Sequence, residues 1–551
     1  MRSRLAPLAL LAAGTLILYS ANIGHAPIYL HEAEVLFALH AQSIATTLHD
    51  TNGRLLPLYF QMPQVGENVW FHPMVVYAMV PFLKVLPLSE TAIRLPSALV
   101  GLTDVVLIYF IAARIFRSDR WGLLAAALLA LTPSHFIHSR LAMDYLHPVP
   151  FVLAWLLCLL IFLERRNPWL LFAATSFLGG GLYSYIASVV MMPLYLVMTV
   201  VVIWTTIDRP ARLWLVAIAG FAWPLCLLLW VVFHPQLFAQ TLSRYGVGAD
   251  AVAPLPRNAP LSVILAAVRQ ASHFSGITGR VSLYWYFFDP AYLFLTGGYA
   301  NVVNSTRHVG VFPLSFIVLI PVGLTILMSR RRSAIDVLLV AAFATAPLAA
   351  CLVVPEPNAI DRELEILPFG VLAATAGAQY LLAAPRRRWR SAGVCLLAAV
   401  PLHFLFFSVD YYRDYPPRAA FWFNWNRRGA IEELLARERE HPSPAIYLST
   451  HHLSYVQPYW RLYLIKYGRE DLLQRTVYFD SDGFDVQSIP SGSLLLVGPD
   501  ETPLASSIHA DLLRTLAVIP EPADPPFFSI LVRTQKSARL NHDGGLLTRA
   551  P

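Results

Sequence analysis

The chain reads as a mainly α, polytopic membrane protein with a small α/β domain at its C-terminal end, and three observations point there. Of its 551 residues 56% are hydrophobic and only 14% charged, and mean hydropathy is +0.54. Soluble domains carry roughly 25% charged residues, so lipid is the main solvent for this chain. The apolar residues fall in runs long enough to cross a bilayer, and short arginine clusters punctuate them. After Asp410 the charge content rises to that of an ordinary soluble domain.

A membrane span takes about 20 mostly apolar residues, and Lys/Arg mark the cytoplasmic loops. The basic clusters are Arg2/Arg4, Arg114/Arg117/Arg120, Arg165/Arg166, Arg209/Arg212, Arg330 to Arg332 and Arg386 to Arg390. With each cluster cytoplasmic, the chain crosses outward and back between successive clusters, giving about eleven spans with the N-terminus inside. The first run, Leu5 to Tyr19, is expected to stay as an uncleaved helix, since no small-residue cleavage site follows it. Pro73 to Leu88 does not fit the alternation and is expected to lie along the outer surface; a thirteen-span arrangement is the alternative. The membrane domain is placed at 1–409, with a first outer loop at about 24–93. The second domain, 410–551, opens with a helix pattern near 427–440. Strand-like runs follow at Ala445–Leu448, Val477–Phe479, Leu494–Val497 and Phe527–Val532, ending in a loose tail.

Composition also excludes classes. The net charge of +7 sits in loops beside spans rather than in a basic face, so it is a topology signal and not a nucleic-acid footprint. Cys158, Cys226, Cys351 and Cys395 all lie in apolar segments without paired short spacing, so they form neither a disulfide framework nor a metal knuckle.

Acidic residues at outward span ends are the chemical signal. His31-Glu32-Ala33-Glu34 follows the first span, and Arg140-Leu-Ala-Met-Asp144 follows the run Leu123–Phe136. Two carboxylates at one interface can supply a general base and a ligand for a cation; helix capping near the headgroups is the plainer alternative. Glu32 and Glu34 are two apart, so on a helix only one faces a given site. The same face gathers Arg94, Arg140, Arg307-His308 and Arg362, a set suited to phosphate contacts. Asp104 lies within a span, where a charge costs at least a few kcal/mol, and is expected to be either protonated or paired inside the bundle. The run Tyr284-Trp-Tyr-Phe-Phe reads as an interfacial aromatic belt.

Several stretches together resemble the GT-C superfamily of membrane glycosyltransferases, in its bacterial protein O-mannosyltransferase-like and aminoarabinose-transferase-like branch. They are Glu34-Val-Leu-Phe-Ala-Leu-His-Ala-Gln-Ser-Ile, Asp50-Thr-Asn-Gly-Arg-Leu-Leu-Pro-Leu, His72-Pro-Met-Val-Val-Tyr, Arg94-Leu-Pro-Ser-Ala-Leu and Ser139-Arg-Leu-Ala-Met-Asp144. The resemblance implies a polyprenyl-phosphate sugar donor, a membrane-lipid environment and a periplasmic active site in a bacterial inner membrane. It implies catalytic acids at Glu34 or Glu32 and at Asp144, with Arg362 on the donor phosphate. Arg140, Arg307 and His308 are further phosphate candidates, and Arg94 and His72 belong to the matching segments. A divalent metal ion is an open candidate as cofactor, and the acceptor is left open. The family's adjacent Asp-Glu is not kept: Ala33 stands at the Asp position when the chain is aligned through Ala41-Gln-Ser-Ile. Either Glu32 takes the missing role, or Glu34 acts alone, or activity is lost and the chain is a scaffold. A transporter or flippase is the alternative from another class, with Asp104 and the break at Gly179 to Gly181 as its support.

Overall fold

The computed structural model describes residues 2–64, 67–208, 210–232, 282–298, 302–329, 333–352, 357–451, 455–480, 484–499, 512–523 and 525–534. The arginines 330–332, Arg209, most of the long segment before Val309 and the C-terminal tail lie outside them. The chain forms two compact units, 1–423 and 424–551.

The first unit is helical. Among the described residues seven helices are long and apolar enough to cross a membrane: Glu90–Ile115, Asp144–Arg165, Ser188–Thr206, Ala211–Leu228, Ala334–Leu352, Ile366–Ala383 and Arg387–Ala419. Ala6–Ser20, Met74–Val85 and Phe316–Ser329 are apolar but shorter. Helix α1 (Arg2–Ser20) leads into a turn and then α2 (Glu32–Thr47). An antiparallel hairpin, β1 (Phe60–Gln64) and β2 (Glu67–Phe71), precedes α3 (Met74–Val85). The 12 residues of α3 extend about 18 Å at 1.5 Å per residue. That is too short to span, and α3 instead buries Val75, Val76, Met79 and Leu83 against its neighbours.

Helix α4 (Glu90–Ile115), capped by Ser89, runs 26 residues, about 39 Å. The expected span from Leu123 to Phe136 is two pieces, α5 (Asp119–Ala130) and α6 (Pro133–His138). Pro133 has no N–H to continue the ladder and constrains Thr132 to extended backbone, so the helix restarts there. The break turns α6 toward Arg140 and Asp144. α7 (Pro148–Arg165), α8 (Pro168–Gly181) and α9 (Ser188–Thr206) follow. Chain direction then places Arg114, Arg117, Arg120, Arg165 and Arg166 at one end of the bundle, and Glu90, Arg94 and Asp144 at the other.

Asp104 is paired, as its cost demands. Its Oδ2 is 3.3 Å from His135 Nε2, and His135 Nδ1 is 2.8 Å from the Tyr19 hydroxyl. All three side chains are buried, so one polar chain ties α1, α4 and α6 together.

α10 (Phe316–Ser329) packs on α12 (Ile366–Ala383), with α11 (Ala334–Thr345) between them in sequence and α13 (Arg387–Val409) after. The seam between α10 and α12 is backbone on backbone. A Cβ added at Gly323 would fall 1.8 Å from the Ala373 carbonyl oxygen, and one at Gly377 would fall 2.2 Å from that of Leu319. Small residues let helices approach this closely where lipid offers no hydrophobic drive. The segment after Asp410 still belongs to this unit: Tyr411 and Tyr415 are stacked and buried beside Phe136 and Phe407. The units therefore part at 423/424 rather than at 409/410.

The second unit is a five-stranded sheet with two main helices. Helix α14 (Arg427–Glu440) precedes β3 (Ile446–Ser449), then α15 (Val456–Tyr467), β4 (Thr476–Phe479) and β5 (Leu494–Val497). β6 (Leu513–Ile519) and β7 (Phe528–Arg533) complete it, in the order β4-β3-β5-β7-β6. β3 pairs in parallel with β4 and β5, while β7 is antiparallel to β5 and β6. The expected strands are all present. β6, for which the sequence gives no expectation, is an edge strand with three of its seven residues polar or small, which hides its alternation.

The seam predicts an asymmetric response to added bulk. Gly323→Val should cost roughly 1–3 kcal/mol or abolish folding, read as loss of monodisperse protein on size-exclusion in detergent. Gly14→Val, where an added Cβ meets nothing within 4 Å, should behave as wild type.

Candidate functional site

At the end of the bundle away from the arginine clusters, two buried arginines organise the turn after α1. Arg94 Nε and Nη2 each donate to Glu34 at 2.8 Å, and its remaining donors reach the carbonyls of Ile23, Pro27 and Tyr29. Arg140 donates to the carbonyls of Leu18, Tyr19, Ala21 and Ala26, and its guanidinium lies against Phe136, Tyr411 and Tyr412. Both side chains are fully buried. Their terminal nitrogens are spent on the protein's own backbone, so neither Arg94 nor Arg140 is open to a ligand phosphate. That corrects the expectation for Arg140.

Glu34 is equally committed. Its carboxylate also accepts from the Ala142 and His31 amides, each at 2.9 Å, and it completes a capping box with His31 at the start of α2. Burial opposes ionisation, but Arg94 and these amides outweigh it and hold the Glu34 carboxyl below the usual range. A saturated, stabilised carboxylate is a poor base. The link to Ala142 fixes the segment that carries Asp144.

Glu32 sits one helical step into α2 on a different face, partly exposed, with His31 Nε2 3.1 Å from its Oε2. Asp144 opens a short 3-10 turn, Asp144–Leu146, which packs on a second one, Ile360–Arg362. Tyr145 lies within electrostatic reach of Asp361, Asp144, Arg362 and Glu32. Its ring is 5.4 Å from that of Tyr185, whose hydroxyl donates to Asp361 at 3.3 Å. Asn304 Nδ2 donates to the other Asp361 oxygen at 3.3 Å, and Arg362 Nε is 3.7 Å from Asp361. Glu32, Asp144 and Arg362, far apart in sequence, thus all lie within electrostatic range of one tyrosine.

Arg362 is flanked by Asp361, Glu363 and Glu365, a run that looks acidic on paper. Burial raises the carboxyls of all three, Glu363 well above its usual range and Glu365 to about 7. Glu363 also accepts from the Tyr292 hydroxyl. Glu363 and Glu365 are thereby disfavoured as anions, while Asp361 lies in ion-pair range of Arg362.

The remaining residues singled out in the sequence lie in other clusters. His308 Nδ1 is 2.9 Å from Asp410, which Arg418 also holds at 2.9 and 3.0 Å. Arg307, with φ +63°, places its guanidinium over Trp422. They share a loop with Asn304 but belong to this separate cluster. His72 packs its ring on Tyr59, in an aromatic group with Tyr183 and Trp230. Tyr145, Tyr185 and Asn304 are missing from the sequence reading; only the Gly179–Gly181 break just before Tyr185 hinted that the chain leaves helix there for a purpose. Among the described residues no group of three or more His, Cys, Asp or Glu side chains is placed to hold a metal ion.

Fold and site together define a polytopic membrane protein with a buried arginine-and-carboxylate centre at one end of its bundle. Residues 72–230 match the model of the family described as Dolichyl-phosphate-mannose-protein mannosyltransferase. The resemblance read in the sequence thus holds over that stretch, and the matched family is one of glycosyltransferases. No curated protein matches the chain in sequence. Among solved structures it is similar to ArnT from Cupriavidus metallidurans bound to undecaprenyl phosphate, at 14% identity over 95% of this chain and 97% of that one, TM-score 0.40. It is also similar to the oligosaccharyltransferase AglB from Archaeoglobus fulgidus with an inhibitory peptide and a dolichol-phosphate, at 14% identity over 86% and 64%, TM-score 0.48.

The buried pair generates a stability prediction with a defined pH sense. Removing one partner strands the other charge, so Arg94→Met should cost roughly 3–5 kcal/mol. Because the folded Glu34 carboxyl is depressed, its contribution is complete above the unfolded value of about 4.3 and is lost as pH falls through the folded one. Thermal unfolding in detergent between pH 7 and 3 should show the wild-type advantage over Glu34→Gln shrinking at the acid end.

Proposed function

We propose that this protein transfers a sugar from a polyprenyl-phosphate donor to an acceptor hydroxyl at the periplasmic face of a bacterial inner membrane. The observation that carries the reading is the packing of the Asp144 turn on the Arg362 turn, with Glu32 in electrostatic range of the same Tyr145, at the bundle end opposite the arginine clusters. The positive-inside rule puts that end away from the cytoplasm, and the C-terminal unit is assigned to the same compartment. The family match over 72–230, whose description names a dolichyl-phosphate-linked mannose, supports a lipid-phosphate sugar as donor.

The reaction is a single displacement. Glu32 takes the proton of the acceptor hydroxyl as its oxygen attacks the anomeric carbon, and the bond to the phosphate oxygen breaks. Arg362 binds the phosphate and stabilises the charge it gains on leaving. Asp144 orients the acceptor; Tyr185 and Asn304 hold Asp361 beside Arg362. A phosphate leaving group needs little chemical help, so positioning and exclusion of water are the main tasks. In this reading Glu34 and Arg94 position the site and take no proton. The change at Ala33 is then met by Glu32, and the transporter reading has no support from Asp104, which is tied up with His135.

Donor turnover in nanodiscs tests the assignment, with polyprenyl-phosphate sugars and an acceptor panel. Glu32→Gln should lower kcat by about 10²–10⁴-fold with unchanged thermal stability, and Arg362→Ala should raise donor KM and lower kcat. Full turnover by Glu32→Gln would remove it as the base. A wild type that turns over no donor in the panel would favour the scaffold reading.

A further inference from the structure

At the bundle end that carries the arginine clusters, α9 and α11 leave a groove of about 700 Å³ between them. Valines and Met198 of α9 form one wall, and Val337, Leu338 and Ala341 of α11 form the other. Polar lining occurs at one end alone, where Thr205 and Thr206 close α9 and Ser333 caps α11. Val197, Val201 and Val337 are about half exposed, at 58%, 47% and 44%, so the groove opens sideways, toward the bilayer.

The groove is one leaflet deep. From Val197 to Thr206, α9 rises about 14 Å at 1.5 Å per residue, and half of a hydrocarbon core of about 30 Å is about 15 Å. Its polar end lies where α9 finishes and α11 begins. In sequence, the stretches 206–213 and 329–336 hold five arginines against two aspartates. Arg212 is among the described residues; Arg209 and Arg330 to Arg332 lie outside them. The positive-inside rule makes this the cytoplasmic face. Apolar walls, a polar mouth at headgroup depth and an excess of positive charge in the chain on either side of that mouth match an anionic phospholipid. A zwitterionic lipid would fill the walls equally well but would gain nothing from the charge.

We propose that the groove between α9 and α11 binds one anionic phospholipid of the cytoplasmic leaflet. An acyl chain lies along Val201 and Ala341, and the phosphate headgroup sits at the Thr206 and Ser333 end. The lipid fills a gap that neither helix closes with its own side chains. This site lies at the opposite end of the bundle from Arg362 and stands without the donor reading.

Native mass spectrometry of the purified protein in detergent tests it, with phosphatidylglycerol and phosphatidylcholine of the same acyl chains titrated separately. Val201→Phe and Ala341→Phe each push a ring into the groove, one from either wall, while Leu215→Phe alters an exposed position outside it. The wild type should hold one phosphatidylglycerol about fivefold tighter than phosphatidylcholine, the weight of one arginine at an anionic surface. Each groove variant should lose about tenfold in affinity for phosphatidylglycerol, as an overpacked cavity does, and Leu215→Phe should match wild type. Groove variants that keep wild-type affinity would overturn the site. A wild type that holds the two phospholipids equally would overturn the anionic assignment. Displacement of phosphatidylglycerol from the wild type by equimolar undecaprenyl phosphate would overturn it too, and would give the groove to a polyprenyl tail. These two wild-type measurements decide the proposal even where a groove variant fails to fold.

Discussion

The ion pair between Glu34 and Arg94 governs everything at the outer end of the bundle. It joins the start of α2 to α4, and through Glu34 it also holds the amide of Ala142. Taking two charges out of water is expensive, and attraction alone does not always recover the cost. Here each partner is also fully hydrogen-bonded, Arg94 to three carbonyls and Glu34 to two amides. What the arrangement gains is registry. A loop after a membrane helix has few ways to bury its backbone polar groups, and two arginines provide them for the turn between α1 and α2. With that turn fixed, Glu32 and Asp144 have defined places.

The same logic explains why two acids of a close pair have different surroundings. Glu34 sits at the third position of α2, where a capping box and a buried arginine both claim it. Glu32, two residues earlier, points to a different side of the helix and remains partly exposed. Helical geometry alone separates the two environments, without any difference in residue type.

Much of this was legible in the sequence, for reasons that can be named. Apolar run length and arginine spacing express the bilayer directly, so the membrane class, the short helix at Met74–Val85 and the need to neutralise Asp104 could be read from them. The strands Ile446–Ser449 and Leu494–Val497 announced themselves as short apolar runs. The arginines misled, because a guanidinium spent on backbone carbonyls, as in Arg140, has the same letter as one that is not. Arg140 and Arg362 differ only in what surrounds them. Tyr185 and Asn304 were silent because their importance comes from Asp361, 176 and 57 residues away. The break of the third span is carried by Pro133 alone.

The glycine seam sets the mechanics of the bundle. Where α10 and α12 touch through Gly323 and Gly377, no layer of side chains lies between the two backbones to slide or repack. Shear between helices works by such side-chain rearrangement, so this pair has no gear to shift and must travel as one stiff strut. The loop with Arg362 is spliced directly to the leading end of α12. The cation is therefore mounted on a rigid post, and any adjustment around it has to come from the elements opposite it.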